Sequence, residues 1–373
     1  IHAVGDVSPA RDRGEFLLAP TAACVKQADI SFCQLENPFS RKILWRTGTS
    51  GYPKDRDQEP SRWADQLPCS AADAAALVNA GFKVCSFASN RCFRMGQEGF
   101  LDTLDLLKEH NLHVIGAGRN IAEARKPAIL DCNGTRIAFL GYNSVVAPKS
   151  EADVDKPGCA PVRASTTYEQ VDWQPGTPPR IVTAAHKDDL SAMVQDVQKA
   201  KQQADLVVMS IHWGVHLIPA VIAMYQFEVG HAAIDAGADL ILGHHPHILK
   251  GIEIYKGAPI CFSIGNFAFE SWTGHASPEG KALYRVKADP DYPTYLFDPD
   301  CRQTMLLKII VNNKKIDQVS FLPGMINKQG QTELLPRSDK RSDAVCEYVE
   351  WACRDQGLKT NFQRRGDEVI IAG

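Results

Sequence analysis

The stretch Asp239-Leu-Ile-Leu-Gly-His-His-Pro-His-Ile-Leu249 ends an apolar run on three closely spaced imidazoles. The run reads as a buried strand that stops at Gly243. Pro246 biases His245 toward an extended backbone. In an extended chain, residues i and i+2 point the same way, so His245 and His247 are expected to share a face and His244 to point elsewhere. Two imidazoles on one face at a strand end suit a divalent metal. Other apolar runs end comparably: His2-Ala-Val-Gly-Asp6 on a carboxylate, and Ile30-Ser-Phe-Cys-Gln-Leu-Glu36-Asn37 on a carboxylate and an amide. Phe82-Lys-Val-Cys-Ser-Phe-Ala-Ser-Asn90-Arg91 ends on an amide and a guanidinium, and Leu206-Val-Val-Met-Ser-Ile-His212-Trp213-Gly214 on an imidazole. Open α/β sheets bind ligands outside the carboxyl ends of their strands. These ends therefore offer Asp, Glu, Asn and His donors to one site, drawn from distant parts of the chain.

The elements that must position them alternate between strand and helix. Residues 19–28 read as a helix. Ser70 fits an N-cap for a helix from Ala71 to Ala80, with Gly81 as its stop. Cys132-Asn-Gly-Thr135 carries the Asn-Gly signature of a hairpin. Helices near 189–203 and 221–236 precede the His212 and His244 strands. Strands over 304–311 and 316–321 join at Asn312-Asn313. Gly116-Ala-Gly118 lacks the third glycine of a dinucleotide fingerprint and reads as a tight strand-to-helix turn. Three long segments, 39–66, 147–187 and 268–302, read as irregular, and loops of such length are usually functional or disordered. The first carries Arg41, Lys42, Arg46, Lys54 and Arg56 with Trp45, Tyr52 and Trp63. It reads as a solvated excursion or as a lid over an anionic substrate.

The chain has 373 residues, a formal net charge of −3 and 44% hydrophobic residues, an ordinary globular composition. That balance gives no support for a nucleic-acid or anionic-membrane partner. No apolar run is long enough for a membrane-spanning helix. Site residues scattered from Asp6 to His247 point to one large domain, residues 1–325, with a C-terminal extension, 326–373, packed on it. Eleven cysteines without a CxxC read as buried free thiols in a reducing compartment, hence a cytoplasmic protein. The chain begins directly at its first strand, so an N-terminal signal or anchor is expected to be absent or trimmed.

The motifs together resemble a known family. They are Gly5-Asp6-Val7 with Arg11, Gln34-Leu-Glu36, Ser86-Phe-Ala-Ser-Asn90, Gly116-Ala-Gly118-Arg-Asn120, Ile137-Ala-Phe-Leu-Gly-Tyr142, Ser210-Ile-His-Trp-Gly214, Gly237-Ala-Asp-Leu-Ile-Leu-Gly-His-His-Pro-His247 and Phe262-Ser-Ile-Gly-Asn-Phe267. In this order they resemble the CapA family, named for bacterial poly-γ-glutamate capsule synthesis, a branch of the calcineurin-like metallophosphoesterase fold. The resemblance covers about residues 2–325. It implies an α/β fold, a four-layer α/β/β/α sandwich. It also implies that Asp6 and Glu36 are shared carboxylate ligands, that Asn90, His212 and His245 complete one metal position, and that His247 helps to hold another. Such donors suit Mn, Fe or Zn, as one ion or two. Two departures stand out. The family histidine after the third strand is here Arg91, which cannot donate a proton near neutral pH but can hold an anion. Asp6-Val7-Ser8 lacks the histidine of a metallophosphoesterase Asp-x-His.

On this resemblance the reacting groups are Asp6, Arg11, Arg91, His212 and His247, and the substrate contacts are Arg11, Arg91, Trp213 and Asn266. The first functional reading is a metal-dependent hydrolase acting on a phosphoester or a γ-glutamyl linkage, its substrate an anionic small molecule, peptide or polymer. The second is a metal-free acid–base enzyme, epimerase-like, using the paired acids and bases of the same site. The third is a non-catalytic protein that binds an anionic polymer. His216 is a candidate for the site entrance, Asn266 for a hydrogen-bonding support, and His231 for an ordinary structural histidine.

Overall fold

The computed structural model describes residues 1–9, 12–41, 69–270, 289–295 and 297–373. Two sheets face each other. The first runs in the order Asn361–Arg365, Glu368–Ala372, Lys315–Ile326, Gln303–Asn312, His2–Ser8, Ser31–Leu35, Val84–Ser86, His113–Ile115. The second runs Ile252–Tyr255, Ala258–Cys261, Leu240–His244, Leu206–His212, Thr135–Asn143, Ala128–Cys132. The strands that end on the candidate residues run parallel to one another: His2–Ser8, Ser31–Leu35 and Val84–Ser86 in one sheet, Leu206–His212 and Leu240–His244 in the other.

Side-chain alternation builds the layers. Ala3, Phe32 and Val84 of the first sheet pack against Phe139, Leu206, Val208, Leu240 and Leu242 of the second, forming the core between the sheets. The residues in between point outward. Val4, Cys33 and Cys85 meet the helices Gly14–Val25, Ala71–Ala80 and Gly96–Glu109 through Leu17, Leu77 and Phe100. Val207, Met209 and Ile241 meet the helices Lys187–Gln203 and Met224–Asp235 through Met193, Val197 and Val229. The result is the α/β/β/α sandwich of the metallophosphoesterase type. The helix Lys340–Asp355 adds Val345, Val349 and Cys353 to the core between the sheets, and Glu368–Ala372 pairs with Lys315–Ile326.

Local signals act as the chemistry requires. Ser70 and Asp73 form a capping box, and Gly81 ends that helix at φ 105°. Asn133 and Gly134 take left-handed conformations, φ 52° and 78°, in the hairpin turn. Two expectations need correction. The second long segment is not irregular throughout, because Ala164–Glu169 and Arg180–Ala185 pair as an exposed antiparallel hairpin. The strand turn falls at Asn313-Lys314 (φ 49° and 63°) rather than at Asn312-Asn313. Among the described residues no helix is long and apolar enough to cross a membrane, and ten cysteines are free thiols.

Candidate metal centre

Alternation carries into the site. Phe32, Gln34 and Glu36 follow one another on the inner face, as do Val208, Ser210 and His212, and Leu240, Leu242 and His244. Asp6 joins them only through an irregularity. Val4 and Val7 both face outward, and the register of the first strand shifts between Ala3 and Asp6 and again after Asp6. Gly5 makes this possible: a Cβ there would lie 1.9 Å from the Gly265 carbonyl oxygen. That same carbonyl accepts the Asp6 N–H at 3.0 Å.

Asp6, Glu36 and His212 thus meet in a fully buried cluster, with one donor atom of each within 4.8 Å of the others. Glu36 divides its oxygens. Oε2 faces His212 Nε2 at 3.6 Å, while Oε1 faces His247 Nε2 at 3.7 Å and Arg91 Nε at 3.1 Å. Asn90 Oδ1 lies 3.2 Å from His212 Nε2. The two are a donor and acceptor in one imidazole tautomer, and two lone pairs converging on one point in the other. Asp6 Oδ2 accepts the His245 N–H at 3.2 Å and sits 3.3 Å from His247 Nδ1.

The Gly-His-His-Pro-His turn is not extended. His245 and His247 adopt φ of 95° and 56°. Such conformations cost on the order of 1–3 kcal/mol each and persist where the surroundings fix them. The expectation that His244 points away is therefore wrong. His244 is the last residue of its strand, in register with His212, and its Nδ1 lies 3.4 Å from Asp6 Oδ1. His245 still reaches the cluster, its ring 4.8 Å from that of His212. His216 also lines it, with ring centroids 5.1 Å from His245 and 5.0 Å from His247. Trp213 needs the opposite correction. It follows His212, so alternation sends it outward, where it stacks on Phe262 and donates to the Phe262 carbonyl, away from any substrate. Arg11 lies outside the described residues, as does most of the cationic 39–66 segment. His231 pairs with Glu253 at 2.9 Å on another part of the surface.

The electrostatics suit a cation. Burial, reinforced by neighbouring imidazoles, pushes His245 down to about 3 and His212 well below its ordinary value, so both rings are neutral with lone pairs free to coordinate. Burial pushes the Asp6 carboxyl up, but the imidazoles of His244 and His247 beside it outweigh that and hold the group well below the usual range. Burial raises Glu36 to about 7, against the pull of His247. Glu36 Oε2, Asp6 Oδ1, His245 Nδ1 and His247 Nε2 are buried without a hydrogen bond. Each such atom costs about 1–3 kcal/mol when unsatisfied. A divalent ion among them removes that cost, and the carboxylate–imidazole–amide donor set fits Mn, Fe or Zn.

Asn266, expected as a hydrogen-bonding support, holds the ring of His247, and Tyr295, which the sequence did not reveal, holds Asn266. His247 Nδ1 meets Asn266 Oδ1 at 2.7 Å, the Asn266 amide donates to Tyr295 Oη at 2.7 Å, and Tyr295 donates to the Cys301 carbonyl at 2.6 Å. This chain fixes the tautomer that leaves Nε2 facing Glu36. Tyr295→Phe is expected to weaken metal binding about 10–100-fold and to cost about 1–3 kcal/mol of stability by orphaning the Asn266 amide. Metal titration and urea unfolding check both.

Lys250 is a second such support. Its buried ammonium donates to the carbonyls of Ile218 and, at 2.9 Å, Val221, strapping the loop that carries His216. Burial lowers its pKa from 10.5 to about 7. Between those values the unfolded chain holds the extra proton, so this group's contribution to stability rises with pH, by up to about 1.4 kcal/mol per unit. Wild type is therefore expected to gain on Lys250→Met between pH 7.5 and 9.5 in urea unfolding.

A sandwich of this type, with a carboxylate–imidazole cluster at converging strand ends, defines a metallophosphoesterase-like protein. The chain belongs to the bacterial capsule synthesis protein PGA_cap family, whose profile matches residues 1–271. It is 31% identical over 199 residues to capsule biosynthesis protein CapA of Bacillus anthracis, covering 53% of this chain and 43% of that one. It is 32% identical over 199 residues to PGA biosynthesis protein CapA of Bacillus subtilis, covering 53% and 45%. A probable polyglutamine synthesis accessory protein of Mycobacterium tuberculosis is 29% identical over 217 residues, covering 56% and 51%. The chain thus spans about half the length of the curated relatives it matches. A hypothetical protein from Thermus thermophilus superposes with a TM-score of 0.47 at 11% identity, over 86% of this chain and 97% of that one.

Proposed function

We propose that this protein is a metal-dependent hydrolase that cleaves a phosphoester or γ-glutamyl bond in an anionic substrate, in the service of capsule-type polymer synthesis. The observation that carries the reading is the buried Asp6–Glu36–His212 cluster, with its donor atoms converging and its imidazoles uncharged. The names of the relatives from Bacillus support the polymer context. Asp6, Glu36, His212, His245 and Asn90 would hold the ion, with His247 beside them. A bound divalent ion supplies a Lewis acid and acidifies water. The chain's own groups do the rest. Arg91, at the Glu36 end of the cluster, neutralises charge on an anionic substrate. Asn266 and Tyr295 keep His247 in one tautomer, and His216 closes the site on its loop side.

One observation favours a second reading, metal-free acid–base catalysis. Glu36 is raised to about 7 while neighbouring Asp6 is depressed, the separation expected of an acid and a base sharing a site. Protein purified without chelator separates the two. Bound Mn, Fe or Zn, with metal-restored hydrolysis of p-nitrophenyl phosphate or γ-glutamyl-p-nitroanilide, supports the hydrolase. Absence of metal together with absence of hydrolysis sinks it.

A further inference from the structure

We infer that Arg91 takes the place of a second cation, so that this site holds one divalent ion per chain. The inference rests on the metal reading of the same cluster and concerns its stoichiometry. Glu36 is the pivot. Its Oε2 faces His212 and the donor cluster with Asp6, whereas its Oε1 is engaged by Arg91 Nε at 3.1 Å. A dication on the Oε1 side, between Glu36 and His247, would lie against a guanidinium.

The fold builds this pairing. Ser89 Oγ donates to the Glu36 carbonyl at 2.7 Å and accepts the Arg91 N–H at 3.1 Å, so one hydroxyl ties the two backbones together. The Phe269 ring lies under the guanidinium at 5.9 Å. The Arg91 side chain is only 17% exposed, and Glu36 is fully buried, so water screens the pair little.

Charge balance agrees. Asp6 and Glu36 supply two negative charges and Arg91 one positive, which leaves a single net negative charge to receive metal. One dication turns that into a single net positive charge. A second would raise it to three positive charges in a buried space.

The test counts ions rather than turnover. Protein stripped of metal is loaded with Mn(II), desalted and assayed for metal per chain, and the stripped form is titrated with Mn(II) by calorimetry. Wild type and Arg91→Lys, which keeps the charge, are expected to bind one ion. Arg91→Ala and Arg91→Met are expected to bind two, the second at least about tenfold weaker than the first. Arg91→Met keeps an aliphatic stem on Phe269 in case the smaller variant folds poorly. Two ions in wild type, or one ion in both neutral variants with wild-type circular dichroism, overturn the inference and leave the metal reading standing. No ion in any of the proteins removes the metal reading and this inference with it.

Discussion

Asp6→Asn is expected to empty the centre of metal and to lower turnover by more than about 100-fold. Replacing groups that merely support a ligand costs about 10–100-fold, and Asp6 would itself be a ligand. One of its oxygens accepts the His245 N–H at 3.2 Å and the other faces His244 at 3.4 Å. An amide in its place keeps the shape but removes a negative charge. It also sets an NH2 group against either the backbone N–H or the imidazole. The affinity loss therefore combines lost charge with a displaced His-His-Pro-His turn. Because His245 and His247 already sit at positive φ, that turn depends on its anchoring. Metal content, steady-state kinetics and unfolding should be measured together. Full metal and full turnover in Asp6→Asn would place the chemistry elsewhere in the molecule.

Much of this centre is legible in the sequence, because period-two alternation and strand ends are sequence properties. Glu36, His212 and Asn90 follow from reading apolar runs to their last residue. The same rule, applied consistently, places His244 inward with Leu240 and Leu242, and Trp213 outward with Ile211. Only an extended backbone through His245 would turn His244 outward, and His245 instead sits at φ 95°. Asp6 reaches the site only through a bulge that tertiary contact with Gly265 imposes, which no local pattern reports. The first helix shows a similar limit. It spans Gly14–Val25 with Pro20 inside it, whereas the sequence suggested a start near Pro20, since proline suits a first turn. The carbonyl of Phe16, which Pro20 leaves without its helical partner, accepts from Gln331 at 2.8 Å. A residue 315 positions away thus satisfies it, beyond the reach of sequence reading. Tyr295 and Lys250 were missed for the same reason, since their partners are carbonyls and amides brought in by the fold.

Arg91→His is expected to raise hydrolysis of alkyl phosphates by about 10²–10⁴-fold, the usual contribution of general acid catalysis, and to change aryl phosphates far less. Alkyl leaving groups need a proton as the bond breaks, and a guanidinium cannot supply one near neutral pH. Activated aryl leaving groups depart as anions and need none. Wild type should accordingly favour aryl over alkyl esters strongly. Position 91 is suited to this role because it follows Asn90, which touches His212, and because Arg91 itself contacts Glu36. An imidazole there would be shorter than the guanidinium, so it would also release Glu36 Oε1. Arg91→Ala separates the two consequences. It releases Glu36 without adding a proton donor, and it also loses a charge-assisted contact that would show as a raised KM for anionic substrates. A gain on alkyl esters in Arg91→His that is absent in Arg91→Ala assigns the missing step to proton donation. Equal gains on alkyl and aryl esters would show that residue 91 does not face the leaving group, and its effect would then belong to the charge on Glu36 alone.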